Sequence, residues 1–107
     1  MTKSEHLQTH LLKARRLLEP YWLVVRLIAP FPFHFMVLRE GETRFIRVEC
    51  ACQGSNLTCD PMLLLTTPAP TGIVKEVWFF PAGKNAWEIH RVLVEMEGEW
   101  RQLYSKN

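Results

Sequence analysis

The chain offers one amphipathic helix but several apolar strands, and this imbalance restricts the folds that it can adopt. In residues 4–19, apolar side chains recur at helical spacing, and Pro20 ends the helix. Runs rich in β-branched and aromatic residues follow at 21–28, 33–39, 43–50, 73–80 and 86–94. We therefore predict an α/β (α+β) fold in which the N-terminal helix packs on a mixed sheet of about five strands.

Two hairpins are predicted within this sheet. Gly41 separates the second and third runs and supplies the positive φ that a short turn requires. Residues 81–85 link the last two runs in the same way. Between the hairpins, residues 51–72 contain several Gly, Pro, Asn and Ser residues around a short apolar patch, which predicts a long loop that holds one helical turn.

Length and composition narrow the class of protein. A chain of 107 residues suits one domain, so 1–107 is treated as a single domain. No apolar run reaches the ~18–20 residues of a membrane span, and the polar N-terminus lacks an export signal, so we expect a cytoplasmic protein that is not in a membrane. Cys50, Cys52 and Cys59 lack the paired spacing of a zinc cluster and are expected to be free thiols.

The run YWLVVR, followed by FHFMVLREGE and TRFIRVECA, resembles the archaeal-type Holliday junction resolvases and their phage relatives in the PD-(D/E)XK nuclease superfamily. The resemblance extends over roughly 7–94 and implies a restriction-endonuclease-like core. In that family the helix carries a Glu, the second strand begins with a metal-binding Asp, and the third strand carries an acid, an apolar residue and a Lys. These groups bind Mg²⁺ and cut phosphodiester bonds.

The positions that correspond to those catalytic residues hold other side chains in this sequence. The Asp position falls on His34, the third-strand acid on Arg47, the Lys on Glu49, and the helix Glu near His10. Imidazole is a poor Mg²⁺ ligand, and a guanidinium repels the ion. The resemblance therefore predicts a degenerate site without a cofactor, in which Arg47 and Glu49 share one strand face and form an ion pair.

Two alternatives at this site stay open. His10, His34 and Glu49 would form a zinc or manganese site if the helix packed over the hairpin as the resemblance implies. A relocated metal site that uses Glu5, Glu49 or Asp60 would instead make the protein an active endonuclease.

The basic residues suggest a nucleic-acid partner. The net charge of +2 does not decide the question, but the helix and the neighbouring strands carry several cations that can line up on one side. The predicted DNA-binding residues are Lys13, Arg15, Arg16, Arg26, Arg39 and Arg44. The preferred interpretation is a resolvase-like protein that binds DNA, including branched DNA, without cutting it.

A protein-interaction module is the alternative from a different class. The predicted second hairpin carries several large apolar side chains, while only one helix is available to cover the sheet. The residues concerned are Trp78, Phe80, Trp87 and Ile89. This alternative predicts a homodimer that forms through the sheet.

Overall fold

A computed structural model describes residues 3–51, 57–81, 89–94 and 105–106. Two helices and six strands occur in these segments. In chain order they are α1 (Lys3–Leu18), β1 (Leu23–Arg26), β2 (Phe35–Arg39), β3 (Glu42–Ala51), α2 (Pro61–Thr66), β4 (Val74–Pro81), β5 (His90–Leu93) and β6 (Ser105–Lys106).

The strands form one mixed sheet in which they stand in chain order. β3 and β4 run parallel, with Arg44 opposite Val74 at one end and Cys50 opposite Phe80 near the other. All other neighbouring pairs are antiparallel. A parallel pair needs a crossover connection, and the segment that contains α2 lies within that connection.

The α+β class, the N-terminal helix and the mixed sheet are therefore confirmed. The predicted strand count of about five is wrong, because four strands, β1–β4, form the main sheet and the short strands β5 and β6 extend it to six. The turn between β2 and β3 forms as the sequence predicts, with Gly41 at a φ of 75°. The helical turn predicted within the crossover is α2.

Helix α1 covers one face of the sheet. Three of its apolar side chains, Leu11, Ala14 and Leu18, are almost completely buried against that face. The strand residues beneath them come from β2, β3 and β4 and are Phe35, Val37, Ile46, Val48, Trp78 and Phe80. This helical stripe is the one that the spacing of the sequence predicts.

The opposite face is covered by the crossover segment. Leu64 of α2 is fully buried there with Phe33, Phe45, Val77 and Phe79. Asp60 caps the first turn of α2 by accepting a hydrogen bond from the backbone N–H of Met62 at 2.9 Å. At the other end of α2, the ammonium group of Lys75 donates to the carbonyl oxygens of Leu64, Leu65 and Thr67.

Three of the apolar residues that suggested a homodimer are buried within the protein itself. Trp78, Phe80 and Ile89 are 5%, 0% and 8% exposed, because α1 covers them. Trp87 lies outside the described residues. Trp78, Phe80 and Ile89 therefore do not provide the apolar surface for a dimer.

The two described cysteines differ in their chemical state. Cys59 is a free thiol, as predicted, and burial raises its pKa. Cys50 is disulfide-bonded, so the prediction of free thiols is wrong for that residue, because an odd number of cysteines still leaves room for one pair.

Within the described segments, no helix has the length and apolar character that crossing a bilayer requires.

Candidate functional site

The alternation of side chains along β3 separates the candidate residues into two groups. Ile46 and Val48 point toward α1, whereas Phe45 points toward α2. Because successive side chains of a strand point to opposite faces, Arg44 lies on the α1 side, and Arg47 and Glu49 lie on the α2 side. Arg44 of the predicted DNA-binding residues and the Arg47–Glu49 positions therefore lie on opposite faces of the sheet.

On the α2 side, Arg47 and Glu49 form the ion pair that the sequence predicts. Arg47 Nε lies 3.2 Å from Glu49 Oε2, and their side chains are 15% and 5% exposed. Thr58 closes the pair, because both its backbone N–H and its hydroxyl donate to Glu49. Arg47 also donates to Thr58 Oγ1 and to the carbonyl oxygen of Pro32. Both charges of the pair are thus satisfied by groups of the protein itself.

His34 lies next to this pair, just before β2. Its Nδ1 accepts a hydrogen bond from the backbone N–H of Val48 at 2.8 Å, so that the imidazole continues the β2–β3 ladder. Burial and the nearby guanidinium groups of Arg47 and Arg26 lower the pKa of His34 to about 4. The ring is therefore neutral at physiological pH, and its Nδ1 lone pair is already used by Val48.

His10 does not join His34 and Glu49. It is 8% exposed and stacks on Phe80, with a distance of 5.2 Å between ring centroids, which puts it on the α1 side of the sheet. The sheet therefore lies between His10 and the Arg47–Glu49 pair. Within the described segments, no group of three His, Cys, Asp or Glu residues could hold a metal ion.

Two of the three residues of the alternative relocated metal site form hydrogen bonds within the protein. Glu49 is bound by Arg47 and Thr58, and Asp60 caps α2. The side chain of Glu5 lies outside the described part of the chain. Glu49 and Asp60 are thus each engaged by groups of the protein itself.

The six cations that are predicted to bind DNA lie on the α1 side of the sheet. Lys13, Arg15 and Arg16 belong to α1 itself. Each of the other three arginines is two residues from a strand residue that packs against α1, so its side chain points to the same face. The pairs are Arg26 with Val24, Arg39 with Val37, and Arg44 with Ile46. These six residues therefore lie on the same side of the sheet.

Several of these cations also have partners within the protein. Arg15 pairs with Glu19 at 3.2 Å on the exposed surface of α1. Arg26 donates to the carbonyl oxygens of Leu27 and His34. An exposed ion pair such as Arg15–Glu19 contributes little to stability, and its guanidinium group stays accessible to another anion.

Arg39 and Arg44 belong to a more extensive network. Glu42 bridges them, because Arg39 donates to its Oε1 and Arg44 to its Oε2, both at 2.8 Å. These hydrogen bonds hold the pKa of Glu42 below its usual value. Arg44 also donates to Glu76 at 2.8 Å, and both guanidinium groups lie over the ring of Trp22.

A groove of about 560 Å³ opens beside this network, at the C-terminal end of α1. Ile46, Trp78 and Ile89 form its buried floor, while Tyr21 and Arg91 lie at its exposed rim. Sequence reasoning missed this groove and its buried carboxylate, Glu76. The alternating pattern of VKEVWFF places Glu76 on the same face as Trp78, which was the available signal.

Comparison with known proteins finds no match for this chain: no family model, no curated protein and no solved structure is similar to it. The resemblance to the resolvases therefore stays a prediction that rests on the residues of the sequence.

The half-buried, neutral His34 predicts a specific loss of stability in mild acid. Below pH 6.5 the unfolded chain binds a proton at His34 that the folded protein does not bind until about pH 4, so the free energy of unfolding falls across this window. Between pH 7.5 and 5.5 we expect a loss of about 1 kcal/mol, after allowance for solvent screening. The measurement is urea unfolding at both pH values.

The control for this prediction is His34→Asn, which keeps an acceptor near the position of Nδ1 but does not titrate. The wild type should lose about 1 kcal/mol more than this variant over the same pH range. Parallel pH dependences of the two proteins would contradict the prediction.

The Arg47–Glu49 pair predicts strong energetic coupling. Arg47→Met leaves Glu49 buried without its cation, and Glu49→Gln leaves Arg47 without its carboxylate, so each change should cost about 3 kcal/mol. In the double variant neither charge remains, and the cost should be at least about 1 kcal/mol below the sum of the two. Urea unfolding of all four proteins measures this coupling.

The exposed Arg15–Glu19 pair provides the matched control. Its side chains are 44% and 53% exposed, and the same cycle with Arg15→Met and Glu19→Gln should give a coupling of at most about 0.5 kcal/mol. Equal coupling in the two pairs would show that Arg47 and Glu49 are not bound as described.

Proposed function

We propose that this chain is a resolvase-like DNA-binding protein with a degenerate nuclease site, which binds DNA, including branched DNA, without metal-dependent cleavage. The observation that carries the proposal is the common location of the six predicted cations on the α1 side of the sheet. DNA affinity depends mainly on contacts between cations and phosphates, so a surface of this kind favours binding that is independent of sequence.

The order of elements supports the resolvase-like part of the proposal. A helix, three antiparallel strands, a crossover and a parallel strand occur in the order that the resemblance implies. A restriction-endonuclease-like core is therefore part of the proposal.

The absence of cleavage follows from the chemistry of the degenerate positions. Arg47 carries a permanent positive charge where a metal-binding acid stands in the family, and it is fixed by Glu49, Thr58 and Pro32. A divalent cation at this position would meet electrostatic repulsion from Arg47, and Glu49 is already paired with that arginine. We expect neither Mg²⁺ nor Mn²⁺ to activate this site.

The test is a gel-shift experiment with a labelled four-way junction and a linear duplex, with and without Mg²⁺ or Mn²⁺. We expect both DNAs to be shifted and neither to be cut, with affinity falling steeply as salt rises from about 50 to 200 mM. Replacing Arg15 and Arg16 together by Ala should weaken binding by about tenfold, because two phosphate contacts are lost.

The matched control changes the net charge equally on the other side of the sheet. Met62 and Leu63 are exposed in the first turn of α2, where Glu is well tolerated. Met62→Glu with Leu63→Glu should therefore affect binding much less than the double Arg variant. Absence of any shift at low salt would reject DNA binding, and metal-dependent cutting would reject the degenerate site.

Self-association through β1 is the second candidate. Among the described strands, β1 pairs only with β2, and its end of the sheet carries exposed Leu23 and Ile28, which are 68% and 78% exposed. An open edge with apolar side chains can pair with a second copy of the chain. Sedimentation velocity should then show a dimer, which Leu23→Glu with Ile28→Glu converts to a monomer; a monomeric wild type would reject this candidate.

A further inference from the structure

We infer that the groove beside the C-terminal end of α1 binds a single unpaired nucleotide of a DNA strand. This inference rests on the proposed DNA-binding function and names the form of DNA that the α1 side prefers. It is carried by the shape of the groove, the planar groups at its rim and the arginines that line it.

The shape of the groove suits a small planar group. Its volume of about 560 Å³ lies within the range of small-molecule sites, ~300–1,000 Å³. The floor is apolar and aromatic, because Ile46 and Trp78 are almost completely buried beneath it. A base within a duplex is covered on both faces by its neighbours and cannot enter, whereas an unpaired base can turn out of the strand.

The rim offers two planar surfaces on which a base can stack. Tyr21 is 71% exposed, although it is a large aromatic side chain. The guanidinium of Arg39 lies 3.9 Å from the centroid of the Trp22 ring, and Glu42 holds it in that position. Nucleic-acid bases stack both on aromatic rings and on guanidinium planes, so these groups favour an unpaired base.

Arginine side chains line the groove and can contact the phosphate of a nucleotide. They are Arg39, Arg44 and Arg91, of which Arg39 is paired with Glu42 and Arg44 with Glu76. Arg39 and Arg91 are exposed at the rim, where the phosphate of an inserted nucleotide would lie.

Glu76 adds an acceptor for the base itself. It lines the groove and is 6% exposed, and its oxygens accept hydrogen bonds from Trp78 Nε1 and from Arg44 Nη1. A carboxylate has about four acceptor positions, so capacity remains for an N–H group of a base. Stacking at the rim and hydrogen bonding at the floor would thus act on the same nucleotide.

The experiment compares the affinities of a single-stranded oligonucleotide and of the blunt duplex of the same sequence, by fluorescence anisotropy at low salt. We expect the wild type to bind the single strand about tenfold more tightly than the duplex. Tyr21→Ala should weaken single-strand binding by about tenfold and leave duplex binding unchanged, while Tyr21→Phe, which keeps the ring, should retain the wild-type affinity.

Leu63→Ala is the control. Leu63 is 48% exposed on α2, on the other side of the sheet, and does not line the groove, so this variant should bind both DNAs like the wild type. Circular dichroism of each variant confirms that the fold is retained.

The possible failures are distinguishable. If single strand and duplex bind equally and Tyr21→Ala has no effect, the inference about the groove is overturned while DNA binding stands. An equal loss for both DNAs in Tyr21→Ala also overturns it, because Tyr21 would then contact the backbone of either form. If neither DNA binds, the proposed function fails, and the inference fails with it.

Discussion

The alternation of side chains along β3 decides which functional groups of this protein can meet. Residues in phase with Ile46 face α1, and residues in phase with Phe45 face the crossover that contains α2. Since both faces are buried, a shift of register by one residue would exchange the two sets and expose the core. The separation of the cationic side from the Arg47–Glu49 pair follows from this single constraint.

Among the residues that the structure describes, each face then carries one buried glutamate that requires a cation. Glu49 is bound by Arg47 on the α2 side, and Glu76 is bound by Arg44 on the α1 side. A buried carboxylate without such a partner would be strongly destabilising. Both arginines of β3 therefore stabilise the fold through buried ion pairs, and contacts with DNA depend more on the exposed cations of α1 and of the groove rim.

The same arrangement gives a physical meaning to the proposed loss of nuclease activity. In the resembling family the third strand carries an acid and a Lys two residues apart, and in this chain the charges at these positions are exchanged, with Arg47 followed by Glu49. The exchanged pair is satisfied by Thr58 and Pro32 rather than by a metal ion. An internal ion pair and a neutral His34 leave the α2 side with a structural role, so that the proposed binding function belongs to the α1 side.

Local patterns in the sequence determined much of the fold: the spacing of apolar residues and Pro20 defined α1, Gly41 defined the first hairpin, and the two-residue separation of Arg47 and Glu49 defined their pair. Each depends on residues that are close in the chain. Only the tertiary structure decided that His10 lies across the sheet from His34, that Arg44 reaches Glu76, and that Tyr21 borders a groove over Trp78. These relations depend on which face α1 covers and on the parallel pairing of β3 with β4. Both are set by the burial of two apolar surfaces over the whole sheet, which no local sequence pattern encodes.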